Sequence, residues 1–329
     1  MKKNNILNIG VLGAANIATR SVIPSIVSLS DVFKLTGLAS RDLSKAKSLT
    51  DSYGGKAYES YETLLAEPSI DAIYIPLPNS LHFPYVKMAL EHEKHVLVEK
   101  SLGCSLKEVD EMVDIASKNN LVLLENFQFR FHSQLQTILQ LVKSGEIGDL
   151  RSVQVAFGFP PFPDSNNIRY KQELGGGALL DAGAYAMKIA PYFLGDDIVM
   201  VHASMENDLS SGVDIWGTGV LKQKKGPLCC QFSYGFDNFY QCALELWGSK
   251  GKLSTNRIFT APPNIEPKII IETNNGVQEL ILPADNHYIN MLKYFHSLIV
   301  DGGNKSAEYE GNILQANLVH QFKNIASKC

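Results

Sequence analysis

The 329-residue chain carries 30 Lys and Arg against 34 Asp and Glu, a formal charge of −4, with 45 % hydrophobic and 19 % charged residues. That near-neutral balance, without a long basic run, gives no electrostatic grip on nucleic acid or an anionic bilayer, and no apolar run reaches the roughly 18 to 20 residues of a membrane span. Cysteines at positions 104, 229, 230, 242 and 329 are odd in number and lack C-x-x-C spacing, so neither a disulfide framework nor a metal site is expected and a reducing cytoplasm fits.

The start Met1-Lys2-Lys3-Asn4-Asn5 does not read as a secretory signal. From there, residues 6–12, 33–39, 72–76, 96–98 and 121–124 form near-continuous apolar runs, the pattern of strands buried on both faces. Residues 17–29, 43–53, 81–92 and 106–119 alternate with them at helical spacing. This order predicts an α/β Rossmann domain over residues 1–125, with helices packed on a parallel sheet. Beyond Gly145 the texture changes. Residues 150–159 read as a strand that stops at the proline-rich turn Phe159-Pro160-Pro161-Phe162-Pro163, a helix is predicted over 179–194, and strands follow at 198–205, 214–221, 230–236, 243–247, 268–273 and 277–282. The clearest has Cys230, Phe232, Tyr234 and Phe236 on one face and Gln231 and Ser233 on the other. Helices over 288–300 and 312–326 close the chain. Residues 126–329 thus form an α+β domain with a large, mostly antiparallel sheet.

The first strand ends in Gly13-Ala14-Ala15-Asn16-Ile17-Ala18, the dinucleotide fingerprint with alanine at its second and third glycines. The chemistry requires a tight turn, a backbone that approaches a pyrophosphate, and helix amides aimed at the anion. Gly13, Ala15, Asn16 and Ile17 are the expected cradle; the bland alternative is a tight strand-to-helix turn without ligand. Where an NAD site places an acidic residue after the second strand, this chain has Ser40-Arg41. Arg41 can fork onto a 2′-phosphate and Ser40 can donate to it, so NADP(H) is the expected cofactor, with a solvated Arg41 as the alternative.

Three segments fall at strand ends, where open α/β sheets bind ligands: Pro76-Leu77-Pro78-Asn79-Ser80-Leu81-His82, Glu99-Lys100-Ser101-Leu102 and Glu125-Asn126-Phe127. A glycine block, Gly175-Gly176-Gly177-Ala178-Leu179-Leu180-Asp181-Ala182-Gly183-Ala184-Tyr185, comes later. In this order and spacing the chain resembles the Gfo/Idh/MocA (glucose-fructose oxidoreductase/inositol dehydrogenase) family over nearly its whole length. The resemblance implies a Rossmann domain followed by an open-faced sheet domain, with a sugar, cyclitol or diol over the nicotinamide. It places the family's conserved lysine on Lys100, its aspartate on Asp181, and its usual histidine on Tyr185. Ser101 replaces a common proline, which leaves the backbone after Lys100 less constrained. Ile168-Arg169-Tyr170, the run from Asn256 through Arg257 to Pro263, and Leu282-Pro283-Ala284-Asp285 resemble the nucleotide-diphosphate-hexose 3-ketoreductases of deoxysugar biosynthesis. NADP-dependent aldose dehydrogenases and dihydrodiol dehydrogenases share the Lys and Tyr arrangement.

The side chains suit ketone reduction. Charge grows on the carbonyl oxygen as hydride arrives, and a proton must reach it. A tyrosine, with an ordinary pKa of about 10, is protonated at neutral pH and can give that proton, and a nearby ammonium steadies the phenolate. Tyr185 is therefore the expected donor, Lys100 its electrostatic partner that can share the proton, and Asp181, at i and i+4 from Tyr185, the orienter of a substrate hydroxyl. The bland alternatives are a core tyrosine and an exposed Glu99-Lys100 ion pair. Leu77, Pro78, Asn79, His82 and Glu99 are expected near the nicotinamide or its ribose. Arg169, on the cofactor side, and Arg257, on the substrate side, can each meet a diphosphate, with solvation as the alternative; Arg130 is a further substrate candidate. The stripe Phe127, Phe129 and Phe131 reads as core, and Cys229-Cys230 as packing. A non-catalytic NADP(H)-sensing protein is the rival from a different class. The resemblance also implies a homodimer or homotetramer joined through the second-domain sheet.

Titration of the purified protein should show tighter binding of NADP(H) than of NAD(H); equal affinities would remove the role given to Ser40 and Arg41.

Overall fold

The computed structural model describes residues 6–164 and 166–327; the opening Met1 to Asn5 and Cys329 lie outside them. By contacts the chain divides into two compact units, Met1–Asn126 with Tyr288–Ile313, and Phe127–His287 with Leu314–Cys329. This differs from a single cut at residue 126, because residues 288–313 rejoin the first unit.

In the first unit, β1 (Leu7–Leu12), β2 (Phe33–Ala39), β3 (Lys56–Tyr58), β4 (Ala72–Ile75), β5 (His95–Glu99) and β6 (Leu123–Asn126) form one parallel sheet in the order β3-β2-β1-β4-β5-β6. The near-continuous apolar runs have their cause here: Ile9, Val11, Leu12, Ala72 to Ile75 and Val96 to Val98 are all buried, as a sheet covered on both faces requires. Connecting helices are α1 (Ile23–Ser28), α2 (Leu43–Tyr53), α3 (Tyr61–Leu65), α4 (Asn79–Glu91) and α5 (Leu106–Lys118). Two of them start on reciprocal caps. Ser60 accepts from Thr63 N, and Ser105 accepts from Glu108 N while Glu108 reaches back to Ser105 N, which satisfies amides that the first turn leaves unbonded. β3 and α3 escape the sequence reading, because three edge residues and a five-residue helix are shorter than any periodicity can report. Helix α9 (His287–Val300) and the first part of α10 (Lys305–Ala326) also serve this unit. Asn312 Nδ2 donates to Leu123 O at 3.2 Å, and Tyr309 donates to Leu121 O.

The second unit is built on an eight-stranded sheet ordered β14-β13-β12-β11-β7-β10-β9-β8. Its strands are β7 (Leu150–Gly158), β8 (Ile198–Asn207), β9 (Asp214–Gln223), β10 (Cys229–Gly235), β11 (Gln241–Gly248), β12 (Gly251–Thr255), β13 (Lys268–Thr273) and β14 (Gly276–Ile281). All pairings are antiparallel except β7 with β10. Strand β12 goes unpredicted because Gly251, Lys252 and Ser254 dilute its apolar signal. Helix α6 (Ser133–Lys143) does too, although Leu135 and Ile138 are fully buried at helical spacing.

Alternation sorts the faces of this sheet. Val153, Val155, Phe157, Cys230, Phe232, Tyr234, Leu244 and Leu246 form the buried side, where Phe322 of α10 packs its ring 6.0 Å from Phe232 and 5.8 Å from Tyr234. The ladder places Trp216 and Trp247 on the opposite face, near opposite ends of their strands and with β7 and β10 between them, exposed by 43 % and 61 %. The stretch expected as one helix over 179–194 is segmented: a π-helical turn at Leu179–Gly183, α7 (Ala184–Ile189), and α8 (Pro191–Leu194). Pro191 takes the first position of α8, where its missing N–H costs nothing. Cys104, Cys229, Cys230 and Cys242 are free thiols, and Cys230 is fully buried as a packing residue. Among the described residues no helix is long and apolar enough to cross a membrane.

Burial, with Lys305 adding to it, lowers the His95 pKa to about 4 while its Nδ1 accepts from Val122 N at 2.9 Å. An unfolded histidine titrates near 6.5, so the unfolded chain takes up a proton below that pH which folded His95 refuses until about 4. Its contribution to stability therefore falls with pH from about 6.5 downwards, at about 1.4 kcal/mol per pH unit. His95→Asn keeps an acceptor for Val122 N, and urea unfolding between pH 6.5 and 4.5 should show a shallower pH slope by about one proton.

Candidate active site

In the first unit, β1 runs into Gly13, whose φ of +112° is the left-handed conformation a tight turn out of a strand demands. Its N–H donates to Ala39 O at 2.7 Å, and a Cβ there would come within 3.0 Å of a Leu77 methyl. Ala15 and Ile17 are half-buried and Asn16 is exposed at the start of the following helix, which opens as a π-helical turn, Ala18–Val22. A helix that starts directly after a glycine turn leaves its first amides without helical partners, the arrangement that binds a pyrophosphate. At the end of β2, Ser40 is buried and Arg41 is exposed. The neighbouring carboxylate is engaged elsewhere: Asp42 caps α2, accepting from Ser44 N at 3.0 Å and Ser44 Oγ at 2.6 Å. Tyr61, missed in the sequence, has its hydroxyl beside Gly13, and the charge of Arg41 favours its phenolate against the burial that raises its pKa. A glycine turn, open helix amides and a lone exposed guanidinium where NAD sites carry a carboxylate fit an NADP phosphate and pyrophosphate.

The β4 and β5 ends form a second cluster. Leu77, Pro78 and Asn79 are half-buried at the start of α4. Glu99 Oε1 accepts from Tyr74 Oη and from Asn126 Nδ2, both at 2.7 Å. Burial lifts the Glu99 carboxyl above the usual carboxylate range, while those two bonds and Lys100 pull it down. The Lys100–Ser101 peptide is cis. Fully buried His82 has Nδ1 2.7 Å from Ser101 O and Nε2 2.7 Å from Leu77 O, so it ties the β4 loop to the β5 loop. Burial lowers its pKa to about 4, against the opposite pull of both carbonyls. Glu125, 2 % exposed, accepts from Leu102 N at 2.8 Å. The backbone after Lys100 is thus pinned from both sides without the proline, contrary to the looser segment expected from Ser101.

In the second unit, Tyr185 is 5 % exposed and its hydroxyl donates to Gln128 Oε1 at 3.0 Å. Rings of Phe127, Phe129, Phe157 and Phe259 surround it with centroids 5.2 to 5.9 Å away. The core reading of Phe127 and Phe129 holds, since both are fully buried. Gln128, the intervening residue of that aromatic stripe, went unnoticed because glutamine in a 3₁₀ turn carries no sequence signal. Asp181 lies in the π-helical turn, the kind of irregularity frequent at functional sites, and its Oδ2 meets Arg169 Nε at 2.5 Å. Arg169 also stacks over Phe162 at 4.7 Å. Arg130 Nε donates to Tyr192 Oη at 3.0 Å, and Arg257 Nη1 to Tyr240 Oη at 2.7 Å with its plane 4.9 Å from that ring. The three arginines are therefore each held by a named partner rather than loosely solvated. No His, Cys, Asp and Glu cluster suited to a metal ion occurs among the described residues.

Comparison with known proteins agrees in both halves. Residues 7–127 match the model of an oxidoreductase family with an NAD-binding Rossmann fold, and residues 135–254 that of the GFO/IDH/MocA C-terminal domain. The chain is 40 % identical over 280 residues, 85 % of its length and 83 % of the relative's, to a dTDP-3,4-didehydro-2,6-dideoxy-alpha-D-glucose 3-reductase from Saccharopolyspora spinosa. It is 34 % identical to an enzyme of that name from Actinomadura kijaniata, over 96 % of this chain and 94 % of the other. The crystal structure of KijD10, a 3-ketoreductase from Actinomadura kijaniata in complex with NADP and TDP-benzene, superposes with a TM-score of 0.94 at 33 % identity, covering 98 % of each chain.

His82→Phe fills the imidazole volume but removes any donor to Leu77 O and Ser101 O. With its pKa near 4 the neutral imidazole has a single N–H, so one of the two carbonyls loses its donor; a buried unsatisfied group costs about 1 to 3 kcal/mol, and urea unfolding should show a loss of that size, whereas a wild-type midpoint would mean that neither carbonyl needs the donor.

Proposed function

The chain belongs to the GFO/IDH/MocA oxidoreductase family, and we propose that within it this protein uses NADPH to reduce the 3-keto group of a nucleotide-linked deoxyhexose. The observation that carries the reading is the Tyr185 phenol: buried among four aromatic rings, with its O–H donated to Gln128, and on the same helical segment as Asp181. An apolar enclosure disfavours the phenolate and keeps the proton in place until a better acceptor arrives. The likeness to dTDP-sugar 3-reductases over most of both chains supports the substrate class.

When bound, NADPH supplies hydride from nicotinamide C4 to the substrate carbonyl carbon. Tyr185 gives its proton to the carbonyl oxygen as charge develops there. The Lys100 ammonium stabilises the remaining phenolate and can pass on a proton in turn. Asp181 accepts from a neighbouring substrate hydroxyl and fixes the sugar, and its pairing with Arg169 orients its carboxylate. Gly13, Ala15, Asn16 and Ile17 hold the pyrophosphate, Ser40 and Arg41 the 2′-phosphate, and Leu77, Pro78, Asn79, His82 and Glu99 frame the nicotinamide end. Arg169 serves the phosphate-bearing ligands by paired hydrogen bonds, and Arg130 and Arg257 belong to the sugar-nucleotide side. The division of labour follows: residues 1–125 handle the cofactor, and most of residues 126–329 select the substrate.

The face of the second-unit sheet that bears Trp216 and Trp247 is the surface through which we expect copies of the chain to pair, because two exposed tryptophans on one sheet face favour a partner. We expect the enzyme in the cytoplasm, a reducing compartment that suits free thiols such as Cys104 and Cys229.

Single-turnover loss of NADPH absorbance with a dTDP-linked 3-keto-deoxyhexose is the test. Tyr185→Phe should slow hydride transfer by about 10² to 10⁴, the range of general acid catalysis, with NADPH affinity unchanged. Full rate in Tyr185→Phe together with loss in Lys100→Ala would move the proton to lysine, whereas no turnover of any keto-sugar by the wild type would favour a cofactor sensor.

A further inference from the structure

The helical segment that carries Asp181 and Tyr185 begins immediately after three glycines, so its first amides have no partner within the segment. No Ser, Thr, Asp or Asn stands at its own N-terminus, where Gly177-Ala178 leads directly into Leu179. The acceptor comes instead from the first residue of β9. Asp214 Oδ2 accepts from Leu179 N at 2.6 Å, and the positive end of the Ala178 amide dipole also favours this carboxylate. Gly177 holds φ +106°, and a Cβ on it would overlap Asp214 Oδ1. The third glycine of the block is therefore required twice, by its backbone conformation and by the approach of this carboxylate.

We propose that Asp214 is a positioning residue, the remote N-terminal anchor of the helical segment that presents Asp181 and Tyr185. The inference rests on the assignment of those two side chains to ketone reduction, but its geometry is independent of it. The carboxylate lies at the base of the segment, on the side opposite in chain order to Tyr185, and makes no claim on the substrate. The residue is half-buried. Burial raises its pKa to about 6 against the amides of Leu179 and Ala178 and the charge of Lys323 on α10. The other titratable neighbour is Tyr234 of β10, whose phenol pKa burial and Asp214 itself push upward. The ring of Tyr234 packs against Gly183, so the segment is gripped at its start by Asp214 and at the end of its π-helical turn by Tyr234. Above about pH 6 the ionised carboxylate holds the Leu179 amide by a charge-assisted bond, which is the stronger kind; below it the anchor weakens.

Asp214→Asn is the working variant, because it is isosteric and removes the charge; Asp214→Ala removes the acceptor altogether. Hydrogen exchange of the full-length chain at pH 7.5, read by mass spectrometry, should show at least tenfold faster exchange across residues 177–186 in Asp214→Asn, with β10 and β11 unchanged. NADPH affinity should stay within twofold of wild type while kcat falls at least tenfold, and the acid limb of kcat near pH 6 should vanish in the Asn variant. Wild-type exchange across 177–186 in Asp214→Asn would overturn the inference, and so would an unaltered kcat and acid limb. Loosened exchange in a protein whose wild type reduces no keto-sugar would instead leave the anchor standing and remove the proposed reaction, so the two failures are distinct.

Discussion

Backbone amides that neither a sheet ladder nor a helical turn can satisfy are the constraint on which this molecule is organised. They occur where segments leave a strand or enter a helix, which is also where an α/β chain exposes its chemistry. Here carboxylates from elsewhere in the sequence meet them. Glu125 accepts from Leu102 N just after Lys100, Asp214 from Leu179 N just before Asp181, and Asp285 from Ser133 N at the start of α6. The first two anchors lie in different units, and each holds a segment that bears a residue assigned to catalysis. An amide left bare in such a place costs about as much as the hydrogen bond it lacks. Buried Glu125 and half-buried Asp214 and Asp285 therefore contribute both to stability and to where the segments they hold stand.

The same economy governs the positive charges. A net charge of −4 leaves no large excess of cations, yet the proposed reaction requires phosphates to be bound. In that proposal helix amides after Gly13 serve together with guanidinium groups individually oriented by aromatic or acidic neighbours. Arg169 lies between Phe162 and Asp181, Arg257 between its Tyr240 ring and hydroxyl contacts, and Arg130 beside Tyr192. A guanidinium held in this way loses little rotamer freedom when an anion arrives, which is why few cations suffice.

Legibility in the sequence followed the length and contrast of each element. The five principal Rossmann strands were readable because both faces are buried and their runs are nearly unbroken. β10 was readable because one face is core and the other is not. β3, α3, β12 and α6 were not, being too short or too mixed in composition for a period to emerge. The candidate residues were legible mainly through motif order, which brought out Gly13, Lys100, Asp181 and Tyr185. Glu125 fell in a strand-end segment but its amide partner did not show, and Gln128, Tyr61 and Asp214 were silent, since a glutamine, a tyrosine or an acid that serves a distant amide has no local pattern.

The sequence by itself determined that the chain has an α/β half with a dinucleotide turn and no acidic residue at the end of its second strand, and an α+β half led by a glycine block. Periodicity and short motifs are local properties, and the chain carries them without reference to its fold. Tertiary structure alone decided which acid reaches which amide, that His82 spans the loops after β4 and β5, that Asp181 pairs with Arg169, and that residues 288–313 return to the first unit. Those outcomes depend on separations of tens to hundreds of residues being closed by packing, and no local pattern encodes the partner at the other end.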